Sequence, residues 1–415
     1  MPDPRHSPQA FVRDRSTWLA YSLLGYYSYL MNGLGPVAPF LRAELRLNYT
    51  VASLHFSAFA VGMLLAGLTT DRLVARFGRG RVAWGGAGGM AVATGLLLLG
   101  RHPAFTIASA LLMGALGSAI LVIVPAALAD HFGPSRAAAL AEANALASIC
   151  AALAPFCLGF LARTALGWRS ALLLPIVFLA AIAVAFRRQP LAEAHLAGAR
   201  PAPGQHASAG SSPGRLPGLY WAYWALVFLV VSVEFGVVFW SAEFLRQARA
   251  MALADAALGT SVFLTGMVLG RFAGSRLMRR SAGTALLLGA LALAGCGFLL
   301  NWLAAPVPAS LAGLLLCGLG VANLYPLSLA LAVGSAPTQT DLASARASLA
   351  SGFAVLVLPL LLGRLADLIG LVHAYACVLA GIGAALALVL ALSRRGTAGG
   401  ISQEAREVPG EAGSR

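Results

Sequence analysis

Glu234 is the acid nearest the middle of any long apolar run in this chain, about fifteen residues into the segment 219–244. In a helix that depth is roughly 22 Å, where a carboxylate is costly unless it meets a cavity, a partner or a proton. Such a group can take up and release a proton, exchange it for a cation, or hydrogen-bond a hydroxylated solute. His55 is a second titratable candidate, and a hydrogen-bonded structural histidine is the competing reading. No His/Asp/Glu metal spacing and no nucleophile–base pair falls within an apolar run, so no metal site, no cofactor and no enzyme are expected. All 29 basic residues are arginine. Without lysine there is no phosphate-loop ammonium and no Schiff-base amine, which excludes a nucleotide-driven pump with its site in this chain and a retinal pump. Cys150, Cys157, Cys296, Cys317 and Cys377 all sit in apolar runs and read as small hydrophobes.

The elements that must hold Glu234 are membrane helices. The 415 residues are 59% hydrophobic and 11% charged, with a mean hydropathy of +0.80, far from the globular norm of roughly a quarter charged. Runs such as 285–300 are apolar on every face, which rules out a membrane β-barrel. The pattern predicts an all-α membrane protein of twelve spans at about 17–39, 52–71, 82–100, 105–129, 137–162, 168–186, 219–244, 257–275, 283–304, 309–333, 342–363 and 371–392. With both termini in the cytoplasm, twenty-one of the 29 arginines fall at inward ends and eight at outward ends. That asymmetry fixes the orientation. It also explains the net charge of +14 without a nucleic-acid partner. The first apolar run is too long for a cleaved leader, so an inner-membrane, multi-pass location is expected.

A Pro/Gly/Ala/Ser-rich stretch divides the chain. The expected organisation is a cytoplasmic tail (1–16), a six-helix bundle (17–186), a cytoplasmic linker (187–218), a second six-helix bundle (219–392) and a cytoplasmic tail (393–415). The two bundles repeat one another at an offset of 204 residues. Phe40-Leu41-Arg42 falls on Phe244-Leu245-Arg246, Gly62-Met63 on Gly266-Met267, Arg72 and Arg76 on Arg276 and Arg280, and Pro155 with Gly159 on Pro359 with Gly363. Parallel halves of this kind suit carriers that rock about a midplane site.

Between spans 2 and 3 stands Gly67-Leu68-Thr69-Thr70-Asp71-Arg72, followed by Arg76, Gly78, Arg79 and Arg81. Here the chain resembles the major facilitator superfamily, whose signature in this loop is G-x-x-x-D-[RK] followed by a G-R-[RK] cluster. The resemblance extends through the twelve spans, the repeat and the central linker. It implies two pseudo-symmetric six-helix bundles, with span 2 meeting span 11 and span 5 meeting span 8. On that packing Asp71 is expected to pair with the start of span 11, including Arg346, when the inner gate is shut, and Gly67 to admit a neighbouring helix. The alternative is that the arginines only set topology. Glu142, the repeat counterpart of Arg346, and Arg271, the counterpart of Gly67, form a plausible second latch; snorkelling of both to the interface is the alternative.

The same packing implies a cavity among spans 1, 4, 7 and 10, which would be lined by Tyr26, Asn32, Ser232, Glu234, Asn323 and Tyr325. Tyr21 and Trp240 lie nearer span ends and read as belt or packing residues. No arginine is expected at mid-membrane, which favours a neutral or cationic solute. The resemblance therefore implies a secondary transporter for a small organic solute, coupled to protons through Glu234 and acting as a monomer in the lipid bilayer. Efflux of drugs or metabolites by antiport and a non-transporting membrane sensor are the alternatives. Span 5 keeps Pro155 and Gly159 but lacks the further glycines usual in drug antiporters, so the direction stays open.

Overall fold

The computed structural model describes residues 12–187, 216–277 and 283–404, and these hold helices and no strand. The expected linker 187–218, except for its edges, and the outer parts of both tails lie outside the described residues. In the first half, α1 (Arg15–Leu45), α2 (Tyr49–Phe77) and α3 (Arg79–Leu99) fill spans 1 to 3, α4 (Pro103–Gly117) and α5 (Ala119–Phe132) share span 4, and α6 (Arg136–Ala162) and α7 (Arg169–Ala185) fill spans 5 and 6. In the second half, α8 (Gly218–Ala248), α9 (Leu253–Leu277) and α10 (Gly283–Leu303) are spans 7 to 9 and α11 (Val307–Val321) with α12 (Leu324–Gly334) is span 10. Span 11 is α13 (Thr340–Ile369), and span 12 is α14 (Leu371–Ala374) followed by α15 (Ala376–Glu404).

Among the described residues nine helical stretches are long and apolar enough to cross a bilayer, one of them the 60-residue stretch Pro103–Ala162 that contains spans 4 and 5. With that stretch counted twice, and with α1 and the shorter apolar α7 added, the spans are the twelve expected. The face that carries the start of α1 is called inner below and the opposite face outer.

Helix ends follow local chemistry. The Asp14 carboxylate accepts from Thr17 N at 2.8 Å and starts α1, and the Asn48 side chain accepts from Val51 N at 2.8 Å and starts α2, each satisfying an orphan donor of the first turn. Gly78 turns α2 into α3 at φ +84°, a conformation costly for any residue with a Cβ.

The sequence reading treats spans 4 and 10 as continuous helices; both are broken, and at the same place in the repeat. The first break is at Ser118, and the second is at Ala322 and Asn323, with Ala322 204 residues beyond Ser118. Pro326 lacks the N–H that would bond back to Ala322, which removes one rung at the second break.

Packing obeys the repeat too. A Cβ on Gly62 would overlap the Leu111 carbonyl, and one on Gly266 would overlap that of Leu315; a Cβ on Gly114 would overlap the carbonyl of Phe59, and one on Gly318 that of Phe263. Each of these pairs is separated by 204 residues, so spans 2 and 4 meet backbone to backbone as spans 8 and 10 do. Between the halves, α2 packs on α13, α6 on α9 and α1 on α8.

Candidate functional site

The outer face is sealed by contacts that cross from one half to the other. Arg42 at the end of α1 reaches Glu243 on α8 at 2.5 Å, and Arg246, the repeat counterpart of Arg42, reaches the same carboxylate at 2.6 Å. Glu243 is only 3% exposed, so the carboxylate end of these charge-assisted bonds is shielded from water while the two guanidiniums stay partly exposed. Tyr49 lies under the Arg42 guanidinium at 3.9 Å and accepts from Gln247. Phe56 stacks on Phe239 with centroids 4.2 Å apart. On α13, Asp367 accepts from the backbone N–H of Tyr49 at 2.9 Å and of Thr50 at 2.8 Å. Arg163 at the end of α6 pairs with Asp255 near the start of α9.

These contacts fade toward the inner face. Along α2 and α13 the helices still touch where the Ser57 hydroxyl donates to the Leu356 carbonyl at 2.9 Å. Gly352 packs on Leu64 one to two turns further in. Beyond that point Gly67 faces open space, Asp71 is exposed and, among the described residues, forms no ion pair. Arg346 is also exposed, and its carbonyl accepts from Trp224 Nε1 at 2.8 Å. The close approach at Gly67 expected from the sequence is therefore not made in this conformation, nor is the Asp71–Arg346 pair. Of the other signature residues, Arg79 binds Asp130 on α5 at 2.6 Å within its own half, Arg76 lies over Phe77, and Arg72 and Arg81 are exposed.

A cavity of about 520 Å³ occupies the space between the parted inner halves of α6, α9 and α12. Ala141, Asn144, Ala145 and Ser148 form its α6 wall at i, i+3, i+4 and i+7, one helical face. Glu142 stands beside them, Val268, Arg271 and Phe272 come from α9, and Tyr325 and Pro326 come from α12. Glu142 and Arg271 thus share one cavity across the two halves without bonding. Glu142 instead accepts from Arg13 at 2.6 and 2.8 Å and from Tyr21 at 3.2 Å, while Arg271 donates to the Ser148 hydroxyl. Asp14 next to Arg13 lies 3.3 Å from His131, so the start of α1 is held against the inner ends of α5 and α6.

Glu234 sits half-buried at the centre of the 31-residue α8. Among the described residues Glu234 forms no ion pair, and it stands outside the set of residues that line the cavity. Arg271, read from the sequence as lying a short way inside the inner end of span 8, lines the cavity from α9. The other solute-binding candidates divide. Tyr325 lines the cavity. Tyr26 is buried and donates to the Ala87 carbonyl of α3 at 3.1 Å, Asn32 donates to Ser28 in its own helix at 2.9 Å, and Asn323 donates to the Gly270 carbonyl at 2.7 Å, bracing the break in span 10 against α9. Ser232 is buried with no hydrogen-bond partner among the described residues. His55 is buried and bonded to Thr106 at 2.8 Å and to the Ala52 carbonyl, a structural role. Among the described residues no group of three or more His, Cys, Asp or Glu could hold a metal ion. Sequence reasoning singled out none of Glu243, Asp255 and Asp367; the repeat offers a signal, since Asp367 falls on Arg163.

The family model of the Major Facilitator Superfamily matches residues 17–357. The chain belongs to the major facilitator superfamily. Within this superfamily it is 29% identical, over 170 residues, to an uncharacterised MFS-type transporter of Yersinia pestis, a match that spans 41% of this chain and 43% of that relative. Among solved structures it is similar to a bacterial homologue of the human lysosomal transporter Spinster in an inward-facing and occupied conformation, with a TM-score of 0.71 at 14% identity over 92% of this chain and 97% of that one. It is also similar to a mutant of the nucleoside transporter NupG, with a TM-score of 0.70 at 12% identity over 91% and 99% of the two chains. At these identities the likeness is one of fold. The chain is a multi-pass membrane protein of that superfamily.

Proposed function

We propose that this transporter is a secondary active carrier of the cytoplasmic (inner) membrane, with both termini in the cytoplasm, that moves a small organic solute by alternating access coupled to protons at Glu234. The observation that carries this reading is one-sided closure. Three cross-half contacts at Glu243, Asp367 and Arg163 seal the outer face, while toward the inner face Gly67 meets open space and a cavity of about 520 Å³ opens among α6, α9 and α12, bridged by the bond from Arg271 to Ser148. The two bundles, 17–186 and 219–392, are the rocking units. Rocking them the other way would bring Asp71 to Arg346 and Glu142 to Arg271, the inner latches of the opposite state. Glu234 lies at the level where neither gate reaches, which suits a group that must be served by both faces in turn.

The solute class expected from sequence, neutral or cationic, rested on the absence of a mid-membrane arginine. Arg271 adds a cation to the cavity wall near the inner end of α9. The test is solute-driven pH change in proteoliposomes, wild type against Glu234→Gln, over sugars, amino acids, carboxylates and lipophilic cations. Proton movement is expected with some solute in the wild type and is lost in the variant. Unchanged movement in the variant would remove Glu234 as the coupling group.

A further inference from the structure

The charges around the cavity do not balance. Glu142 is neutralised where it stands by the paired donors of Arg13. Arg271 donates to the neutral Ser148 hydroxyl and, among the described residues, forms no ion pair. A guanidinium offers five N–H donors in a planar fork, so Ser148 engages one arm and the fork retains directions suited to a carboxylate. Around it Val268, Phe272 and Pro326 supply apolar surface, with Asn144 and Tyr325 as polar points. A single cation in such walls matches a monoanion; a phosphate dianion would be left with excess charge in an apolar site.

We propose that Arg271 is the solute-reading cation of this cavity and that the solute is a monocarboxylate on an apolar body. This rests on the carrier reading with Glu234 as its proton site. An ionised Glu234 repels an anion from this region of the molecule; when Glu234 takes a proton from the water of whichever face is open, that repulsion ends and the carboxylate meets the Arg271 fork with two N–H···O bonds. One proton and one anion then cross together, with no net charge moved. Helix α9 brings Arg271 and α12 brings Tyr325 to the cavity, while α13 and α15 pack on α8 through uncharged residues, Leu358 and Val378 at Gly236 and Gly381 at Val233. Arg346 of α13 lies against Trp224, ten residues or about 15 Å toward the inner face, and α1 meets α8 through Gly35 near Val238, toward the outer face.

The experiment measures binding to the purified full chain of phenylacetate, 3-phenylpropionate and octanoate, each beside its primary amide. At about pH 6 the acids are ionised. At least one acid is expected to bind about tenfold or more tightly than its amide, with the preference lost in Arg271→Gln and partly kept in Arg271→Lys. Acid binding should weaken as pH rises and Glu234 ionises, and Glu234→Gln should flatten that dependence. Equal binding of acids and amides, no binding of any acid, or an unchanged preference in a folded Arg271→Gln would overturn the assignment. If Arg271→Gln does not fold, the pH dependence decides, and a flat wild-type profile overturns it. Glu234-dependent proton movement driven only by neutral or cationic solutes would defeat the carboxylate assignment and leave the carrier standing. No proton movement with any solute would remove the carrier reading itself.

Discussion

Arg163 and Asp367 hold the same place in the two halves, 204 residues apart, and each grips the opposite half with the opposite charge. The partner helix explains the difference. The first turn of α9 carries Asp255, so the residue that approaches it must be a cation; the first turn of α2 carries no acid and presents its N–H groups, so the residue that approaches it must be an anion. A duplicated seal has thus kept its geometry while exchanging its chemistry.

Breaking that seal should favour opening of the outer face. Asp367→Ala removes two backbone acceptor contacts at the start of α2, worth about 1 kcal/mol for an exposed helix-end group, or roughly fivefold in population. A single cysteine at Ser53, in a chain without its native cysteines, should label faster from outside in this variant. Arg163→Asp should act alike, and the exchange Arg163→Asp with Asp255→Arg should restore slow labelling. Labelling that stays slow in both single variants would show that the seal lies elsewhere.

Glu243 anchors two arginines from a nearly water-free position. Removing a buried partner leaves its counter-charges uncompensated, a loss of about 3 kcal/mol. Glu243→Gln should therefore lower the thermal midpoint more than Arg42→Gln, because Arg246 still engages the carboxylate in the latter. Equal midpoints for the two variants would contradict the convergence.

The inner latch should be visible only in the opposite state. Cysteines at Asp71 and Arg346 should not cross-link in the conformation described here, where Asp71 is exposed and no contact joins the two, and should link once the inner face closes. Asp71→Asn should abolish transport with expression intact. The exchange Asp71→Arg with Arg346→Asp should recover part of it. Near-normal transport by Asp71→Asn would end the latch hypothesis.

The glycine contacts offer a symmetric test. Gly114→Ala and Gly318→Ala each force a methyl group against a facing carbonyl, of Phe59 and Phe263 respectively. Overpacking of this kind costs about 1–3 kcal/mol. The two variants should lose similar stability, measured by thermal melting in the same detergent. A loss confined to one half would mean that the other relaxes by a different route.

The spans, the repeat and the α2–α3 signature could be read in the chain because each depends on local pattern. Twenty apolar residues in lipid must close their own hydrogen bonds as helix, and a duplicated segment keeps its spacing. Tyr325 and Glu234 were singled out by the same logic, as polar groups in apolar runs. Tyr26, Asn32 and Asn323 satisfied that logic too, yet their side chains bond neighbouring backbone carbonyls, since whether a polar side chain faces a cavity or a neighbouring backbone depends on helix rotation, which hydropathy does not encode.

By itself the sequence determined that this chain is a duplicated helical membrane protein with one deep acid, because the bilayer allows few alternatives to an apolar run and none to its backbone bonding. Tertiary structure alone decided that Arg271 bonds Ser148 of the other half, that Arg13 claims Glu142, and that Arg42 meets Glu243 at the outer face. Each of these is a contact between residues more than thirty positions apart, chosen by which of several polar partners the packed helices bring within reach.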